Sequence, residues 1–158
     1  MNQEDCEAVA HLITLTWNET YRGIVSDEFL DQLYENEAER AQNSLKSFDE
    51  DDHQFVLEKG DEIIGYMNLG ISEDEASDKC GEIHAIYLLR EYQKQRLGRK
   101  MIEAGMQELR DMGLKRMLIG CLDHNPANDF YLHIGGRFIR QRIFEKLQLP
   151  ENVYYFDL

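Results

Sequence analysis

Prolines are scarce in this 158-residue chain: Pro126 and Pro150 are the two, which argues against long linkers. The three cysteines, Cys6, Cys80 and Cys121, are odd in number and lack metal-type spacing, so neither a disulfide framework nor a zinc site is expected. A reduced, cytoplasmic protein is the simplest expectation, and the N-E-T sequon at Asn18 then meets no glycosylation enzyme. No run approaches the ~18 consecutive apolar residues of a membrane span. The opening MNQEDCEAVAHL has no basic region ahead of an apolar one, which excludes the pattern of a signal peptide. His11, His53, His84, His124 and His133 lack ligand spacing, so no metal is expected. Positive charge is short as well: 17 Lys and Arg face 31 Asp and Glu, for a formal charge of −14. Such a surface repels nucleic acid and favours cationic partners, or serves solubility alone.

What is present is a hydrophobic fraction of 42% with 10% aromatics, enough for a core in one domain spanning 1–158. Cys6, Val9, Leu12, Ile13 and Thr16 fall at helical spacing, predicting a helix over 5–16. Asp27 is placed to cap a second helix with Phe29, Leu30, Leu33 and Tyr34, and 37–48 continues the helical region. Strands are predicted at 53–60 and 62–71, joined at Gly60-Asp61, and at 81–89. The acidic stretches 47–52 and 72–79 read as loops. A helix over about 97–112 ends at Gly113, a strand follows at 114–122, and a helix over 125–136 takes Asn125 as N-cap and Pro126 as its first residue. Strands at 137–147 and 152–158, with a loop around Pro150, complete an α-α-β-β-β-α-β-α-β-β order, a mixed α/β or α+β layer fold.

The most informative segment is 81–100, where a strand feeds a loop holding Gln93, Lys94, Gln95, Arg96, Leu97 and Gly98, and the loop opens a helix. Amides at a helix start lack intrahelical acceptors and sit at the positive end of the dipole, forming an anion site suited to a pyrophosphate. Gly98 permits close backbone approach, and Lys94, Arg96, Arg99 and Lys100 concentrate positive charge. The alternative is an ordinary helix start with solvated basic residues. Neither G-x-G-x-x-G nor G-x-x-x-x-G-K-[ST] is present.

The segment GEIHAIYLLREYQKQRLGRKMIEAGM resembles motif A of the GNAT acetyltransferases, whose loop reads [QR]-x-x-G-x-[GA] after a strand. NPANDFYLHIGGRFI is similar to motif B, and TWNETYRGIVSDEFLDQL to the first two helices of many bacterial members. Arg96 occupies the position of the first loop glycine, and a pyrophosphate is held there if residue 96 keeps a negative φ. Family members open with a strand before the first helix; here that strand is short or missing, or the start lies upstream.

The resemblance implies a mixed, mostly antiparallel sheet with helices on both faces and two strands, 81–89 and 114–122, splayed at an acetyl-CoA site. Backbone groups of Ile86, Tyr87 and Leu88 would pair with the pantetheine amides, and Asn125 would touch the same arm. It implies acetyl transfer to a primary amine by direct attack, with Glu82 as base and Tyr131 as acid toward the departing thiolate. A carboxylate on a half-buried strand suits a base, and His84, two residues on, shares its face. Trp17, Tyr21 and Tyr66 offer an amine pocket through cation–π contacts, or a plain core. The expected acceptor is a small cationic amine or a peptide amine. No nucleic acid or membrane partner is expected, and a homodimer is left open. The competing readings are a non-catalytic acyl-CoA-binding sensor and an unrelated interaction module.

Overall fold

A computed structural model of the chain describes residues 1–73 and 79–158, so most of the acidic loop expected at 72–79 lies outside the described residues. The helices are α1 Cys6–Tyr21, α2 Asp27–Glu35, α3 Glu37–Lys46, α4 Leu97–Asp111 and α5 Ala127–His133. The strands are β1 Gln54–Lys59, β2 Glu62–Ile71, β3 Gly81–Leu88, β4 Arg116–Leu122, β5 Arg137–Phe144 and β6 Leu149–Asp157. They are hydrogen-bonded in the order β1-β2-β3-β4-β6-β5. β3 and β4 run parallel, while β1 with β2, β4 with β6 and β5 with β6 run antiparallel. This is the mixed, mostly antiparallel sheet that the family resemblance implied. The chain forms two compact units, Met1–Asn68 with Ala85–Gly98, and Leu69–His84 with Arg99–Leu158.

In the first unit α1 packs on α2 and α3. Its buried face carries Val9 and Leu12 but also Thr14, Thr16 and Asn18, whose polar atoms need partners out of water. The threonine hydroxyls donate back to Ala10 O at 3.0 Å and Leu12 O at 2.8 Å. Asn18 Nδ2 donates to Thr14 O at 3.0 Å and to Leu30 O at 3.1 Å, tying α1 to α2. The sequon asparagine is thus a helix-joining residue. Ser26, not Asp27, caps α2, accepting from Phe29 N at 3.4 Å. A residue that caps must precede the first helical turn, and Asp27 already lies in it. Around Val9, Leu12 and Tyr66 pack Ile13, Val56, Ile63, Ala85, Tyr87 and Leu89. Gly60, at φ +64°, makes the β1–β2 turn as expected.

In the second unit Gly113, at φ +82°, ends α4, and Leu114 N returns to Leu109 O at 3.0 Å. Several boundaries differ from the sequence reading, those of α5, β5 and β6 among them. α5 starts at Ala127, one residue after the expected Pro126, which takes the N-cap place expected of Asn125, although Asn125 Oδ1 still accepts from Ala127 N at 2.9 Å. Pro150 lies within β6 rather than in a loop, opposite Ile143 of β5. It stands just past the last β4 pair, Leu122 with Glu151, so on that side no ladder donor is required. Its carbonyl accepts from Asp123 N at 2.9 Å. β5 correspondingly stops at Phe144, and the turn closes with Leu147 N on Phe144 O at 3.1 Å.

Candidate active site

β3 leads through a short 3-10 turn at Arg90–Tyr92 into the loop ahead of α4. Leu89 N donates to Ile64 O at 3.0 Å. The Gln93 side chain folds back to Leu88 O at 3.1 Å, and that of Gln95 to Glu91 O at 3.0 Å. Lys94 and Arg96 adopt φ of +59° and +63°. Residue 96 therefore does not keep the negative φ on which pyrophosphate binding was made conditional: Arg96 instead takes up the left-handed conformation a glycine would supply there, at a cost of about 1–2 kcal/mol. Left-handed residues in a tight loop turn successive amides toward one side, making an anion-binding concavity. It leads directly into the first turn of α4, formed by Leu97 and Gly98. Lys94, Gln95 and Arg96 are exposed, so both cations can reach a bound anion. These residues fit a pyrophosphate. Arg99 and Lys100 are exposed further along the helix, and Arg99 Nε pairs with Glu103 at 2.9 Å.

β3 pairs with β4 over 81–83, opposite 117–119, and Ile86, Tyr87 and Leu88 lie beyond that stretch. Leu88 O is engaged by Gln93. The Tyr87 ring stacks on Tyr66 at 6.5 Å between centroids. Burial pushes the Tyr87 hydroxyl's pKa up, opposed in part by a hydrogen bond with Trp17. Trp17 also packs on Tyr21 at 4.6 Å and on Phe29 at 5.7 Å. Tyr66 is buried, and its hydroxyl donates to Gln54 Oε1 at 2.8 Å. Of the aromatic residues expected at an amine pocket, Trp17 and Tyr21 thus pack on each other and Tyr66 on Tyr87.

The second unit holds Glu82, His84, Asn125 and Tyr131. Glu82 is only 5% exposed. Its Oε1 accepts from Arg142 Nη2 at 2.5 Å and its Oε2 from Ser72 Oγ at 2.6 Å. Arg142 Nε also donates to Glu151 Oε2 at 2.6 Å. Burial works against the Arg142 charge, but the two carboxylates outweigh it and raise the guanidinium's pKa. Glu82, His84, Arg142 and Glu151 all line a cavity of about 590 Å³. A carboxylate has about four lone-pair sites, so these two bonds leave Glu82 lone pairs for a further donor. Tyr131 is buried, its ring 5.5 Å from Phe130 and 5.6 Å from Tyr154. Asn125, also buried, sits at the turn that starts α5.

A family model described as the acetyltransferase (GNAT) family matches residues 6–135. The uncharacterized N-acetyltransferase YuaI of Bacillus subtilis is 32% identical over 146 residues, covering 90% of this chain and 80% of that one. The chain belongs to the GNAT acetyltransferase family. Among solved structures, PaiA N-acetyltransferase of Thermoplasma acidophilum, in complex with coenzyme A, matches with a TM-score of 0.75 at 18% identity, covering 100% of this chain and 96% of that one. An acetyltransferase from Thermus thermophilus matches at 0.71 and 19% identity, covering 100% and 94%. Both share the fold. Among the described residues no cluster of three or more His, Cys, Asp or Glu could hold a metal, and no helix is long and apolar enough to cross a membrane.

Three residues of this N-acetyltransferase's cavity network escaped the sequence reading: Ser72, Arg142 and Glu151. A signal existed for the last two. A hairpin turning at 145–148 sets 142 opposite 151, an Arg facing a Glu.

Proposed function

We propose that this GNAT enzyme uses acetyl-CoA to acetylate a primary amine by direct attack, with both units contributing to one acetyltransferase domain, as the family match running through both supports. The observation that carries the cofactor assignment is the loop at 93–98, with its two left-handed residues and two exposed cations ahead of α4. The thioester supplies an activated acetyl group when bound. The loop amides hold the pyrophosphate and fix where the acetyl group lies. Glu82, at the cavity wall, takes the proton of the attacking amine, and His84 stands on the same strand beside it. Tyr131 delivers a proton to the departing sulfur, and Asn125 holds the start of α5, which carries that tyrosine.

For the acceptor we favour a cationic amine, on the strength of the −14 charge and the exposed acidic run at 49–52. The deciding experiment is a panel of amines of matched size and differing charge, assayed with acetyl-CoA. A cationic amine is expected to give the highest kcat/KM, with its KM rising as salt screens beyond ~8–10 Å. A neutral or anionic amine in first place would refute the preference for cations. Calorimetry tests the cofactor site: Gly98→Trp should abolish coenzyme A binding, and unchanged affinity would refute the placement.

A further inference from the structure

The groups that hold Glu82 come from separate parts of the second unit's sheet. Arg142 of β5 bonds Glu82 of β3 at 2.5 Å and Glu151 of β6 at 2.6 Å, and Ser72, just past β2, bonds the other Glu82 oxygen at 2.6 Å. Gly120 of β4 leaves the space that Glu151 fills, since a Cβ there would collide with the Glu151 carboxylate. Both carboxylates are buried, at 5% and 8% exposure. Two such carboxylates at close range do not both stay charged without a cation between them. A guanidinium answers that need: it is planar, permanently charged and able to hold one carboxylate through Nη2 and a second through Nε. Glu82, Arg142 and Glu151 also open on the 590 Å³ cavity rather than closing into the core.

We propose that Arg142 is a positioning residue for acetyl transfer. It fixes the direction of the Glu82 carboxylate toward the cavity and bridges it to that of Glu151. Ser72 secures the second oxygen, so the carboxylate presents its remaining lone pairs in one orientation. This rests on the reading of Glu82 as the base. Among the described residues, the other charged or titratable groups lining the cavity are Glu73 after β2, His84 on β3, Arg140 on β5, and Glu145 and Lys146 in the β5–β6 turn. The Cys121 thiol of β4 feels Glu151 as well.

The test compares kcat and KM against pH for Arg142→Gln, Arg142→Lys, Ser72→Ala and Glu82→Gln. Carboxyl carbon NMR titrations of the coenzyme-free protein run alongside. Arg142→Gln should lower kcat roughly 10²-fold, the scale of a misdirected reacting group, with KM for acetyl-CoA unchanged. The acid limb of kcat/KM should move to higher pH, and the carboxyl resonances of the pair should follow without coenzyme. Arg142→Lys keeps the charge but not the two-pronged geometry, so it should restore the position of the acid limb and recover only part of the rate. Ser72→Ala removes one hydrogen bond and leaves the ion pairs, so it should show a smaller fall in kcat even where Arg142→Gln does not fold. An acid limb and carboxyl titrations unmoved in Arg142→Gln, or no fall in kcat for Arg142→Lys and Ser72→Ala where it does not fold, would overturn the proposal. Full activity in Glu82→Gln refutes instead the base assignment beneath it. Inactivity there, combined with unaffected Arg142 variants, refutes positioning alone.

Discussion

Arg96 holds a backbone conformation that L side chains avoid, while its guanidinium stands exposed at the rim of the phosphate loop. Backbone and side chain can be separated by substitution. Arg96→Gly and Arg96→Ala both remove the charge, but only glycine removes the strain. Arg96→Gly should therefore be more stable than Arg96→Ala by about 1 kcal/mol in urea denaturation. Both should bind coenzyme A more weakly than the parent by ~1–3 kcal/mol in calorimetry, the worth of a charge-assisted hydrogen bond. Equal stability of the two variants would mean that the loop does not hold residue 96 left-handed. Gly120 carries the opposite constraint, a demand for space rather than for φ. Gly120→Ala would force the Glu151 carboxylate off its position and should cost ~1–3 kcal/mol, as overpacking does.

Where two elements share one polar atom, its loss should loosen both. Asn18 is such an atom's owner: its amide bonds carbonyls of α1 and α2, and its Oδ1 accepts from Arg22 Nη2 at 2.8 Å. Arg22 in turn reaches Asp27 at 2.9 Å and Asp31 at 2.7 Å on α2. Asn18→Ala removes both amide hydrogen bonds and the acceptor of Arg22, and should destabilise the protein by ~1–3 kcal/mol. Arg22→Ala, at an exposed and solvent-screened ion pair, should cost clearly less than Asn18→Ala. Equal losses would place the joint in the salt bridges instead. The same elements mark what the sequence could tell. Apolar spacing located α1, α2, α4 and all six strands, because periodicity reports a buried face directly. It could not register a helix joint made of Thr14, Asn18 and Arg22, since polar residues on a helix read as solvent-facing. Pro150 misled for a related reason: proline is a turn signal on its own, and only the position of β4 explains why β6 tolerates it. With residue 150 set in a loop, the pairing of Arg142 with Glu151 was lost. Glu82, Tyr131 and the loop at 93–98 were legible because a motif carried them.

At the scale of the whole molecule, several buried acids oppose high pH, Tyr66 and Cys121 among them. Burial pushes the Tyr66 hydroxyl from 10.0 up to about 12. Burial, with Glu151 and Asp123 nearby, pushes the Cys121 thiol from 9.0 up to about 12. Both groups ionise more readily once unfolded, so the stability they confer is whole below pH 9 and is lost as the pH rises from 9 toward 12. The urea midpoint should fall across that window, and Cys121→Ala should flatten its first part. A midpoint constant from about pH 9 to 11 would contradict the burial of both. Cys6 and Cys80 are buried as deeply as Cys121, all three at 5% exposure or less. Each turnover of an acetyl-CoA-dependent enzyme liberates one product sulfhydryl, the quantity a chromogenic disulfide reagent records. Native protein should consume almost none of that reagent, whereas denatured chain should consume three equivalents. Continuous colorimetry of this enzyme therefore has a silent background, and a drifting baseline in the absence of amine is a direct readout of the fold coming open.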